Sequence, residues 1–577
     1  MTQPPPPPNQ PPSQPQGPGY GYPHTPQPAQ QPAQPPQPGY GYPAQPPGAP
    51  TPAPGHNPYA QQPPAAPNPY GQQSGYGYPQ PPTTPMAPYP GAPGGKRKIN
   101  AQVAIIVAAV VAIALIIGGG VWYSSGKDDG KDDVAASSGG ATGGGEDKGG
   151  EGGTSTTGDE KVPADVKSRV LFQVPQPEVE KGESVVVEGS WLTDTVYAKS
   201  GIAEIVGYDP DSGAKKWTID LPGPVCQTTP HITEDNRTAI IHQPKMPAKD
   251  GFEGCSEIAA IDLDAGKKLW TKTAAAGDDT ISFDNVTVGA TTVAVGSHDG
   301  GAAFDIATGK ALWTPKVGDT CHDAGYGGGP KLVAVRKCGS YGAYQLNIQT
   351  LDHKTGKVVS EYKMTEGIDY ASVVSTDPLV VAADVGDSAG DGSGISDFFS
   401  IDNKTGQLRA RISAPGEEYA AECDGITRIE NCSGVVVGND RLYLPTEEHD
   451  GSADLKKTNE IIAFDLARGK QTGQRLVAGD GYTLTPLRMD GGNVIAYKRP
   501  PYDEGGQVLS IDGGSFKAVK LMQNPDTEAV RDVEMSMLPD TAELRFRNGR
   551  LFMSEVYASN YGTGEKRYLA IGFGTKG

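Results

Sequence analysis

A short phrase recurs along residues 207–517 and constrains the fold more than any other feature of the chain. Its clearest copies span 260–270 and 303–313, and each contains an apolar strand end, an Asp, a tight turn closed by Gly and a second apolar strand. The Asp can accept hydrogen bonds from backbone amides across the turn, while Gly readily adopts the positive φ that closes it. The phrase therefore predicts a series of β-hairpins that share one kind of turn.

The Asp and the Gly of this turn occur together in six copies of the phrase. The pairs are Asp209 and Gly213, Asp262 and Gly266, Asp305 and Gly309, Asp352 and Gly356, Asp402 and Gly406, and Asp465 and Gly469. A degraded seventh copy lies at Asp512 and Gly513, and successive Asp residues are 53, 43, 47, 50, 63 and 47 positions apart. Repeats of this length, made of short strands and turns, are typical of four-stranded propeller blades.

An eighth blade is predicted from the two ends of the repeat region. Three strands follow the last phrase and one precedes the first, at 542–546, 550–556, 567–573 and 169–174. A ring of sheets must hide its open edges, and pairing the early strand with the last three does so. We therefore predict an all-β, eight-bladed β-propeller, with seven blades as the alternative. The 63-residue spacing between Asp402 and Asp465 predicts an insertion in one blade.

The copies resemble the repeats of the pyrroloquinoline-quinone-type (PQQ-like) β-propellers, whose units end in Ala-Leu-Asp-x-x-Thr-Gly-x-x-x-Trp. The resemblance covers roughly residues 165–573. In that family the Trp packs between neighbouring blades, which implies the same role for Trp217, Trp270 and Trp313; later copies carry Val359, Arg409 or Gly473 nearby. The family includes quinone-dependent alcohol dehydrogenases, a scaffold lipoprotein of outer-membrane protein assembly and extracytoplasmic domains of signalling proteins. The resemblance therefore implies the fold more strongly than the function.

Composition divides the chain before the repeats begin. Residues 1–95 consist almost entirely of Pro, Gln, Gly, Ala and Tyr, without Asp, Glu, Lys or Arg, and are predicted to be a disordered cytoplasmic tail. Residues 96–123 are predicted to be a basic flank and a transmembrane helix, because 103–123 carry no charge and are long enough to cross a bilayer. Residues 124–162 are predicted to be a flexible Gly-, Ser- and Asp-rich stalk, and 163–577 the propeller.

This division predicts a single-pass protein of the cell membrane, with its N-terminus in the cytoplasm and its C-terminal domain outside. Residues 1–98 hold three basic residues and no acid, so the remainder carries −22 when the whole chain carries −19. A strongly acidic outer domain without basic, aromatic patches is a poor ligand for nucleic acid. We therefore expect no nucleic-acid partner.

All six cysteines follow the predicted transmembrane segment, which is typical of disulfides in an oxidising compartment. Fifteen pairings are possible for six cysteines. We favour the local pairs, which are Cys226 with Cys255, Cys321 with Cys338, and Cys423 with Cys432. A metal site is disfavoured because the sequence has no Cys-x-x-Cys spacing.

The sequence offers no match to the known catalytic patterns. The resemblance implies that an enzyme of this family would hold its quinone beneath a disulfide of two adjacent cysteines, with calcium beside it, and this chain has no adjacent cysteine pair. It also lacks Gly-x-Ser-x-Gly and His-Glu-x-x-His, and the six histidines that follow the predicted transmembrane segment are scattered over different predicted blades. We therefore predict no catalytic residues, no cofactor-binding residues, no metal ligands and no bound cofactor.

Two segments are candidate binding loops. Asp384, Asp387, Asp391 and Asp397 offer oxygen ligands that suit calcium, but their spacing does not match an EF-hand, so a solvated turn is favoured. Residues 321–330 are rich in Gly, which permits a close backbone approach, and a disulfide to Cys338 would hold them at the channel rim. An ordinary long inter-strand turn is the simpler interpretation of this segment.

The predicted function is that of a membrane-anchored, extracytoplasmic module for non-enzymatic binding, sensing or scaffolding. Its expected partners are a protein or a cell-envelope ligand on the propeller loops, and a cytoplasmic protein on the Pro-rich tail. The combination of tail, helix, stalk and acidic propeller resembles envelope proteins of high-GC Gram-positive bacteria. The alternative is a divergent quinoprotein enzyme that uses a PQQ-like cofactor and calcium.

Overall fold

The computed structural model describes residues 160–575 apart from 249–250, 317, 341–342, 387, 389–393, 426, 453–455 and 562–565. The predicted cytoplasmic tail, the segment at 96–123 and nearly all of the predicted stalk lie outside these residues. Within the described part of the chain, no helix is long and apolar enough to cross a membrane.

The described residues form eight four-stranded antiparallel sheets, the blades, which we number along the chain. The strands of blade 1 are Ser190–Leu192, Tyr197–Ser200, Glu204–Tyr208 and Lys215–Asp220. Those of blade 2 are Val225–Thr228, Arg237–His242, Glu257–Asp262 and Lys267–Lys272. Those of blade 3 are Asn285–Gly289, Thr292–Gly296, Ala302–Asp305 and Ala311–Trp313. Those of blade 4 are Cys321–Gly327, Leu332–Cys338, Gln345–Leu351 and Val358–Lys363.

The later blades follow the same order. The strands of blade 5 are Ser372–Thr376, Leu379–Ala383, Asp397–Ile401 and Leu408–Ser413. Those of blade 6 are Val436–Gly438, Arg441–Pro445, Glu460–Asp465 and Lys470–Val477. Those of blade 7 are Thr483–Asp490, Asn493–Arg499, Gln507–Asp512 and Ala518–Gln523. Those of blade 8 are Ala542–Arg547, Arg550–Glu555, Tyr568–Thr575 and, as the outermost strand, Ser168–Pro175.

Blade 8 closes the ring with a strand from each end of the domain. Ser168–Pro175 pairs antiparallel with Tyr568–Thr575, and Ser168 lies opposite Thr575. The pairing hides both sheet edges within one blade. The prediction of an all-β, eight-bladed propeller is confirmed for the described residues.

The fourth strand of a blade is more exposed than the other three. The first strand of blade 3, Asn285–Gly289, is buried at every position. The fourth strand of blade 1, Lys215–Asp220, is largely exposed. Between neighbouring blades the sheets bury branched apolar side chains, such as Ile241 and Ile258 of blade 2 against Val293 of blade 3. Each such side chain stabilises the fold by about 1.5–3 kcal/mol relative to exposure.

The repeated turn joins the third strand of a blade to the fourth. In the six Asp–Gly copies the Gly has φ between +62° and +71°. The Asp Oδ1 atom accepts a hydrogen bond of 2.8–3.0 Å from the amide three residues later, as from Ala265 to Asp262 and from Thr308 to Asp305. Six of the eight blades therefore share one turn geometry, which the sequence phrase encodes locally.

The degraded copy in blade 7 shows how the turn survives without its Gly. Asp512 still accepts a hydrogen bond from the Ser515 amide, at 2.6 Å. The position with positive φ is Phe516, at +58°, and not Gly513. A buried aromatic ring offsets the strain of that conformation, since Phe516 is only 6% exposed.

The two faces of the propeller differ in the loops that connect the strands. Because neighbouring strands of a blade are antiparallel, the loops between strands 1 and 2 and between strands 3 and 4 lie on one face. The loops between strands 2 and 3 and the connections between blades lie on the other face. We call the face with the repeated Asp turns the turn face, where the longest connection spans 229–236. We call the other the elaborated face, where connections span up to 414–435 and 524–541.

The elaborated face carries the small structures outside the blades. Four two-stranded ribbons lie there: Ser184–Val186 with Tyr557–Ser559, Ala275–Ala276 with Asp279–Thr280, Glu422–Cys423 with Cys432–Ser433, and His449–Asp450 with Lys457–Thr458. The helix Glu528–Ser536 precedes blade 8 on this face, and the sequence analysis did not predict it. Its buried Glu534 accepts hydrogen bonds from Tyr497, Asn524 and the Gly506 amide, which attach the helix to blade 7.

Candidate functional site

A cavity of about 340 Å³ opens in the central channel at the elaborated face. Its wall includes the first strands of blades 2, 3, 7 and 8, for example at Gln227, Asn285, Thr485 and Arg545. The connection between blades 5 and 6 supplies the opposite wall, from Asp424 to Val435. Pockets of roughly 300–1,000 Å³ are the usual size for small-ligand sites, so this cavity suits a small molecule or one or two side chains.

The connection 414–435 enters the channel as a hairpin that the Cys423–Cys432 disulfide closes. We call residues 423–432 the stapled hairpin. Ile429 at its tip is 3% exposed and accepts a hydrogen bond of 2.7 Å from the Val373 amide of blade 5. Gly325 of blade 4 allows this approach, because a Cβ there would lie 2.3 Å from Ile429 Cγ1. The hairpin is therefore packed into the channel wall.

Glu430 fixes the hairpin to blades 2 and 4. Its Oε1 atom lies 2.9 Å from His231 Nε2 and accepts a hydrogen bond of 2.5 Å from the Gly328 amide. The side chain is only 10% exposed. Its second oxygen, Oε2, and His231 Nδ1 are buried, and neither has a hydrogen-bond partner among the described residues. A buried carboxylate oxygen without a donor is costly.

Arg428 reaches from the hairpin across the cavity to Glu188, with Nη1 2.8 Å from Oε2. Burial raises the pKa of Glu188 above its ordinary value, and Arg428 only partly offsets this. Glu188 lies beside a second ion cluster in which Glu543 pairs with Lys199 at 2.9 Å and with Arg545 at 3.3 Å. This pairing spans blades 1 and 8.

Glu543 stays ionised within this cluster in spite of its surroundings. Burial opposes its charge, but Lys199 and Arg545 outweigh burial and lower the pKa of Glu543. Burial also lowers the pKa of Lys199, against the attraction of Glu543. The amides of Gly189 and Ser190 donate to the same carboxylate. The cluster is therefore structural and joins the ends of the ring.

The cavity as a whole carries more negative than positive charge. Six carboxylates line it, namely Glu188, Asp284, Asp424, Glu430, Asp540 and Glu543. Two cations, Arg428 and Arg545, line it with them. Burial raises the pKa of Asp284, and His298 offsets this only in part. A cavity with low-dielectric walls and one sign of charge attracts the opposite charge.

The elaborated face also carries the exposed aromatic side chains of the described residues. They are Phe252 at 70%, Tyr502 at 66%, Tyr561 at 65%, Tyr557 at 54% and Tyr370 at 39% exposed. All five lie in connections on this face, and Tyr557 also lines the cavity. Exposed aromatic residues are enriched at protein interfaces, because they bury much area at low cost in conformational entropy.

The predicted structural residues occupy defined places. The structure contains the three favoured disulfides, Cys226–Cys255, Cys321–Cys338 and Cys423–Cys432, all at the elaborated face. Trp217, Trp270 and Trp313 each pack on the turn glycine of the next blade, which is Gly266, Gly309 or Gly356. In blade 8 Phe172 packs on Gly213 in the same way, although no Trp marks that position.

The structure describes one of the two candidate binding segments throughout and the other only in part. Cys321–Gly327 is the first strand of blade 4, so the interpretation of 321–330 as a loop was wrong. Its glycines do permit a close approach, but the partner is Ile429 of the stapled hairpin. Asp397 begins a strand and pairs with Arg411 at 2.6 Å, while Asp387 and Asp391 lie outside the described residues. Where the chain is described, no three His, Cys, Asp or Glu side chains are placed to hold a metal ion.

Sequence reasoning missed Arg428, Glu430 and Glu188 as parts of one site. The long spacing before Asp465 and the pair of cysteines indicated an insertion. They did not indicate that the insertion folds back into the channel, because its partners lie about 100 to 240 positions away in the chain.

The comparison with protein families agrees with this architecture. A family described as outer membrane protein assembly factor BamB matches residues 155–322 and 254–512. Similar solved structures include BamB from Moraxella catarrhalis, which is 13% identical, with 68% of this chain and 98% of that chain covered and a TM-score of 0.36. A quinohemoprotein alcohol dehydrogenase from Pseudomonas putida HK5 is 13% identical, with 70% and 77% covered and a TM-score of 0.39. The corresponding enzyme from Comamonas testosteroni is 12% identical, with 71% and 77% covered and a TM-score of 0.38. A comparison with curated protein sequences gives no match.

Proposed function

Because the chain belongs to the PQQ-like β-propeller family, we propose that it is a membrane-anchored, extracytoplasmic binding module without catalytic activity. The observation that carries this proposal is the difference between its two faces. The disulfides, the exposed aromatic side chains and the channel cavity all lie on the elaborated face. Loops on a rigid scaffold are where proteins commonly place binding residues.

The direction in which the chain enters the propeller supports this role. Glu160, the first described residue, is bound at the turn face: its Oε1 atom lies 2.5 Å from Arg488 Nη2 and accepts a hydrogen bond from the Asn548 amide. The described part of the chain therefore enters the propeller at the turn face, opposite the face that carries the cavity.

The partner on this face is a protein or a component of the cell envelope, and the module senses or scaffolds that partner. The Pro-rich tail at 1–95 recruits a cytoplasmic protein on the other side of the membrane. The stalk allows the propeller to move independently of the membrane segment. Any signal therefore depends on recruitment at both ends of the chain.

The rival function is that of a quinoprotein enzyme. The sequence has no adjacent cysteine pair, and its six cysteines form three disulfides between separated positions. We expect the purified full-length chain to show no quinone absorbance. We also expect its melting temperature to stay constant when PQQ and calcium are added together. A ligand that binds the folded state must raise that temperature, so a clear increase with a quinone band would contradict the proposal.

The binding role is tested by comparing two sets of exposed apolar residues. One variant replaces Phe252, Tyr502 and Tyr557 on the elaborated face by Ala. The matched control replaces Val359, Leu408 and Val519, which are 57%, 41% and 49% exposed on outer strands, by Ala. Co-purification of an envelope partner with the tagged full-length chain is expected to be lost in the first variant and kept in the control. Equal retention in both variants would contradict the proposal.

A further inference from the structure

We propose that an electrostatic lock holds the ring of blades closed at the seam between blades 8 and 1, and that the ring opens at this seam when the lock is weakened. We call the contact between residues 542–555 of blade 8 and residues 187–211, which lead into blade 1 and form its first three strands, the closing seam. The inference concerns how the ring is closed, so it does not depend on what the elaborated face binds.

The closing seam joins segments from the two ends of the propeller domain. Three strands of blade 8, at 542–547, 550–555 and 568–575, follow blade 7 in the chain and contact blade 1 only non-covalently. The ion-paired side chains that meet across the seam are between 339 and 353 positions apart. Closing a loop of this length costs conformational entropy, so the closure requires contacts that are specific to these two blades.

Ion pairs are concentrated at the closing seam. Three of them cross it, namely Lys199–Glu543 at 2.9 Å, Asp194–Arg547 at 2.7 Å and Asp211–Arg550 at 2.7 Å. Within the part of the chain that the structure describes, no other two neighbouring blades share more than one ion pair. Blades 5 and 6, for example, share the pair of Arg409 with Asp440. The charges therefore distinguish this seam from the other seven.

At the elaborated face, Glu543 of blade 8 inserts into a socket on the blade 1 side of the seam. Lys199 Nζ and the amides of Gly189 and Ser190 donate to its carboxylate at 2.9–3.1 Å. The side chain of Lys199 is 1% exposed, and that of Glu543 is 11% exposed. Neutralising Glu543 would leave the buried ammonium group without its ion-pair partner, which is costly. This pair is therefore the buried part of the lock.

At the turn face, two arginines of blade 8 reach blade 1. Arg550 binds Asp211 through two hydrogen bonds, at 2.7 and 2.8 Å. Asp194 accepts hydrogen bonds from Arg547 and from Asn548 Nδ2, each at 2.7 Å. The side chains of Asp194 and Asp211 are 60% and 63% exposed, so dissolved salt screens these pairs far more than the buried pair. This part of the lock is therefore sensitive to salt.

Aromatic rings fill the middle of the closing seam. Tyr197 of blade 1 stacks on Phe552 of blade 8 with 4.0 Å between the ring centroids, and Phe172 packs beside both rings. Apolar burial is non-directional and does not depend on charge. The rings therefore stabilise the seam, while the ion pairs at its two faces make its closure specific and dependent on salt.

The closing seam is also one wall of the channel cavity. Glu188, Glu543 and Arg545 line the cavity on this side. Opening the seam would therefore widen the cavity towards the space between blades 8 and 1. The lock thus limits the width of the cavity at the elaborated face.

The test is hydrogen exchange of the full-length chain, purified in mild detergent and followed by mass spectrometry. The Gly189 and Ser190 amides donate to Glu543 across the seam, so peptides that cover 187–192 report directly on its opening. We expect these peptides to exchange severalfold faster when sodium chloride is raised from about 0.05 M to about 0.5 M. Peptides that cover 285–296 in blade 3 are expected to keep their exchange rate.

Arg550→Gln removes a salt-sensitive part of the lock, and Arg409→Gln is the matched control. Arg409 also binds its partner, Asp440 of blade 6, through two hydrogen bonds, and the side chains of Arg409 and Arg550 are 27% and 20% exposed. Arg550→Gln is expected to speed exchange at 187–192 about two- to fivefold. Arg409→Gln is expected to leave exchange there unchanged. Asp211→Arg combined with Arg550→Asp restores the pair with its charges exchanged and is expected to return the rate towards that of the wild type.

Glu543→Gln is expected to have the largest effect on the seam. It leaves Lys199 buried without its counter-charge, while the Gln oxygen can still accept hydrogen bonds from the two amides. Exchange at 187–192 is expected to accelerate about tenfold or more. If this variant does not fold, Lys199→Met combined with Glu543→Gln removes the unpaired charge and is expected to restore folding with partial protection of the same peptides.

Three results would overturn the inference. The first is salt that changes exchange at 187–192 no more than at 285–296. The second is an effect of Arg550→Gln on the closing seam that is no larger than that of Arg409→Gln. The third is a charge-exchanged double variant whose peptides exchange as fast as those of Arg550→Gln alone. None of these measurements involves a partner, so the proposed function is tested separately.

Discussion

The turn face and the elaborated face lie at opposite ends of the same eight blades, yet their loops follow different rules. On the turn face, six blades repeat one Asp–Gly turn, and the loops are short. On the elaborated face the connections differ from blade to blade and carry the disulfides, ribbons, helix and cavity. The repeat therefore maintains the ring at one face, while the loops of the other face are free to vary.

Side-chain contacts at the turn face also pack each of several blades against the next. Phe172, Trp217, Trp270 and Trp313 each cover the turn glycine of the following blade, which links blades 8, 1, 2 and 3 to their neighbours. In blade 4 the corresponding residue is Ser360, whose Oγ donates to Asn403 O at 2.6 Å. Trp270 Nε1 donates to Ile306 O, at the equivalent position after the turn Asp, at 2.8 Å. Blade 4 thus makes the same kind of hydrogen bond to the next blade as blade 2 does, with a smaller side chain.

The largest effect on stability is expected at this packing on the turn face. Trp270→Ala removes an indole that packs on Gly309 and donates to Ile306 O, and we expect the free energy of unfolding to fall by about 3 kcal/mol. Denaturant unfolding of the full-length chain measures this loss. Trp270→Phe, as the control, is expected to lose less. A loss below about 1 kcal/mol for Trp270→Ala would show that the ladder of aromatic contacts does not hold the ring.

A somewhat smaller and more local effect is expected on the elaborated face. Replacing Cys423 and Cys432 together by Ser opens the staple of the hairpin, and a short disulfide-closed loop contributes about 2–3 kcal/mol in the chain-entropy account. We expect faster hydrogen exchange at the Gly328 and Val373 amides, which donate to the hairpin, with slow exchange retained in the blades. Hairpin protection that persists while the blades destabilise would contradict the separation of the two faces.

The pH dependence of stability is expected to report mainly on the turn face. Hydrogen bonds from Thr308 lower the pKa of Asp305, and equivalent bonds lower the pKa of Asp209, Asp352, Asp402 and Asp512. A carboxyl whose folded pKa is lowered stabilises the fold above its unfolded pKa, near 4, and loses this contribution as the pH falls further. We therefore expect the melting temperature to decline below about pH 4.

Asp305→Asn tests this origin of the acid sensitivity. The variant cannot titrate, so the fall in melting temperature between pH 5 and pH 2 is expected to be shallower than in the wild type. Measurements of melting temperature across this range provide the comparison. An identical slope in both proteins would place the acid sensitivity elsewhere in the chain.

The smallest effect on stability is expected from exposed aromatics on the elaborated face. Phe252 is 70% exposed, so Phe252→Ala is expected to change the free energy of unfolding by about 0.5 kcal/mol or less. The contrast with Trp270→Ala is informative, because both variants remove a large aromatic ring. Denaturant unfolding under the same conditions measures both. A loss for Phe252→Ala comparable to that for Trp270→Ala would mean that this ring serves the fold and not a partner.

The sequence predicts the turn face better than the elaborated face, for a physical reason. The Asp–Gly turn and the local disulfides depend on residues close together in the chain, so periodicity and spacing reveal them. The sequence indicates Gly513 for the degraded turn, whereas Phe516 takes the positive φ, because tertiary burial overrides the local preference of glycine. The helix Glu528–Ser536 is short, and buried contacts of Glu534 hold it, which no periodic pattern indicates.

The cavity could not be predicted from the sequence because contacts between distant segments define it. Arg428 meets Glu188 at a separation of 240 positions, and Glu430 meets His231 at a separation of 199 positions. The glycines of 321–327 were recognised as a site of close approach, but only the structure shows that the hairpin occupies it. The loops differ in length and sequence from blade to blade, so no repeated pattern predicts which of their residues pair.

Photo-crosslinking from single positions, in the cell that makes the full-length chain, tests the central claim most directly. A photoreactive residue is placed at Phe252, Tyr502 or Tyr557 on the elaborated face, and at the exposed Lys354, Lys404 or Lys517 on the turn face. The account predicts that the three elaborated-face positions yield an adduct with the same envelope partner, while the three turn-face positions yield none with it. Adducts with that partner from the turn face, and none from the elaborated face, would contradict the account.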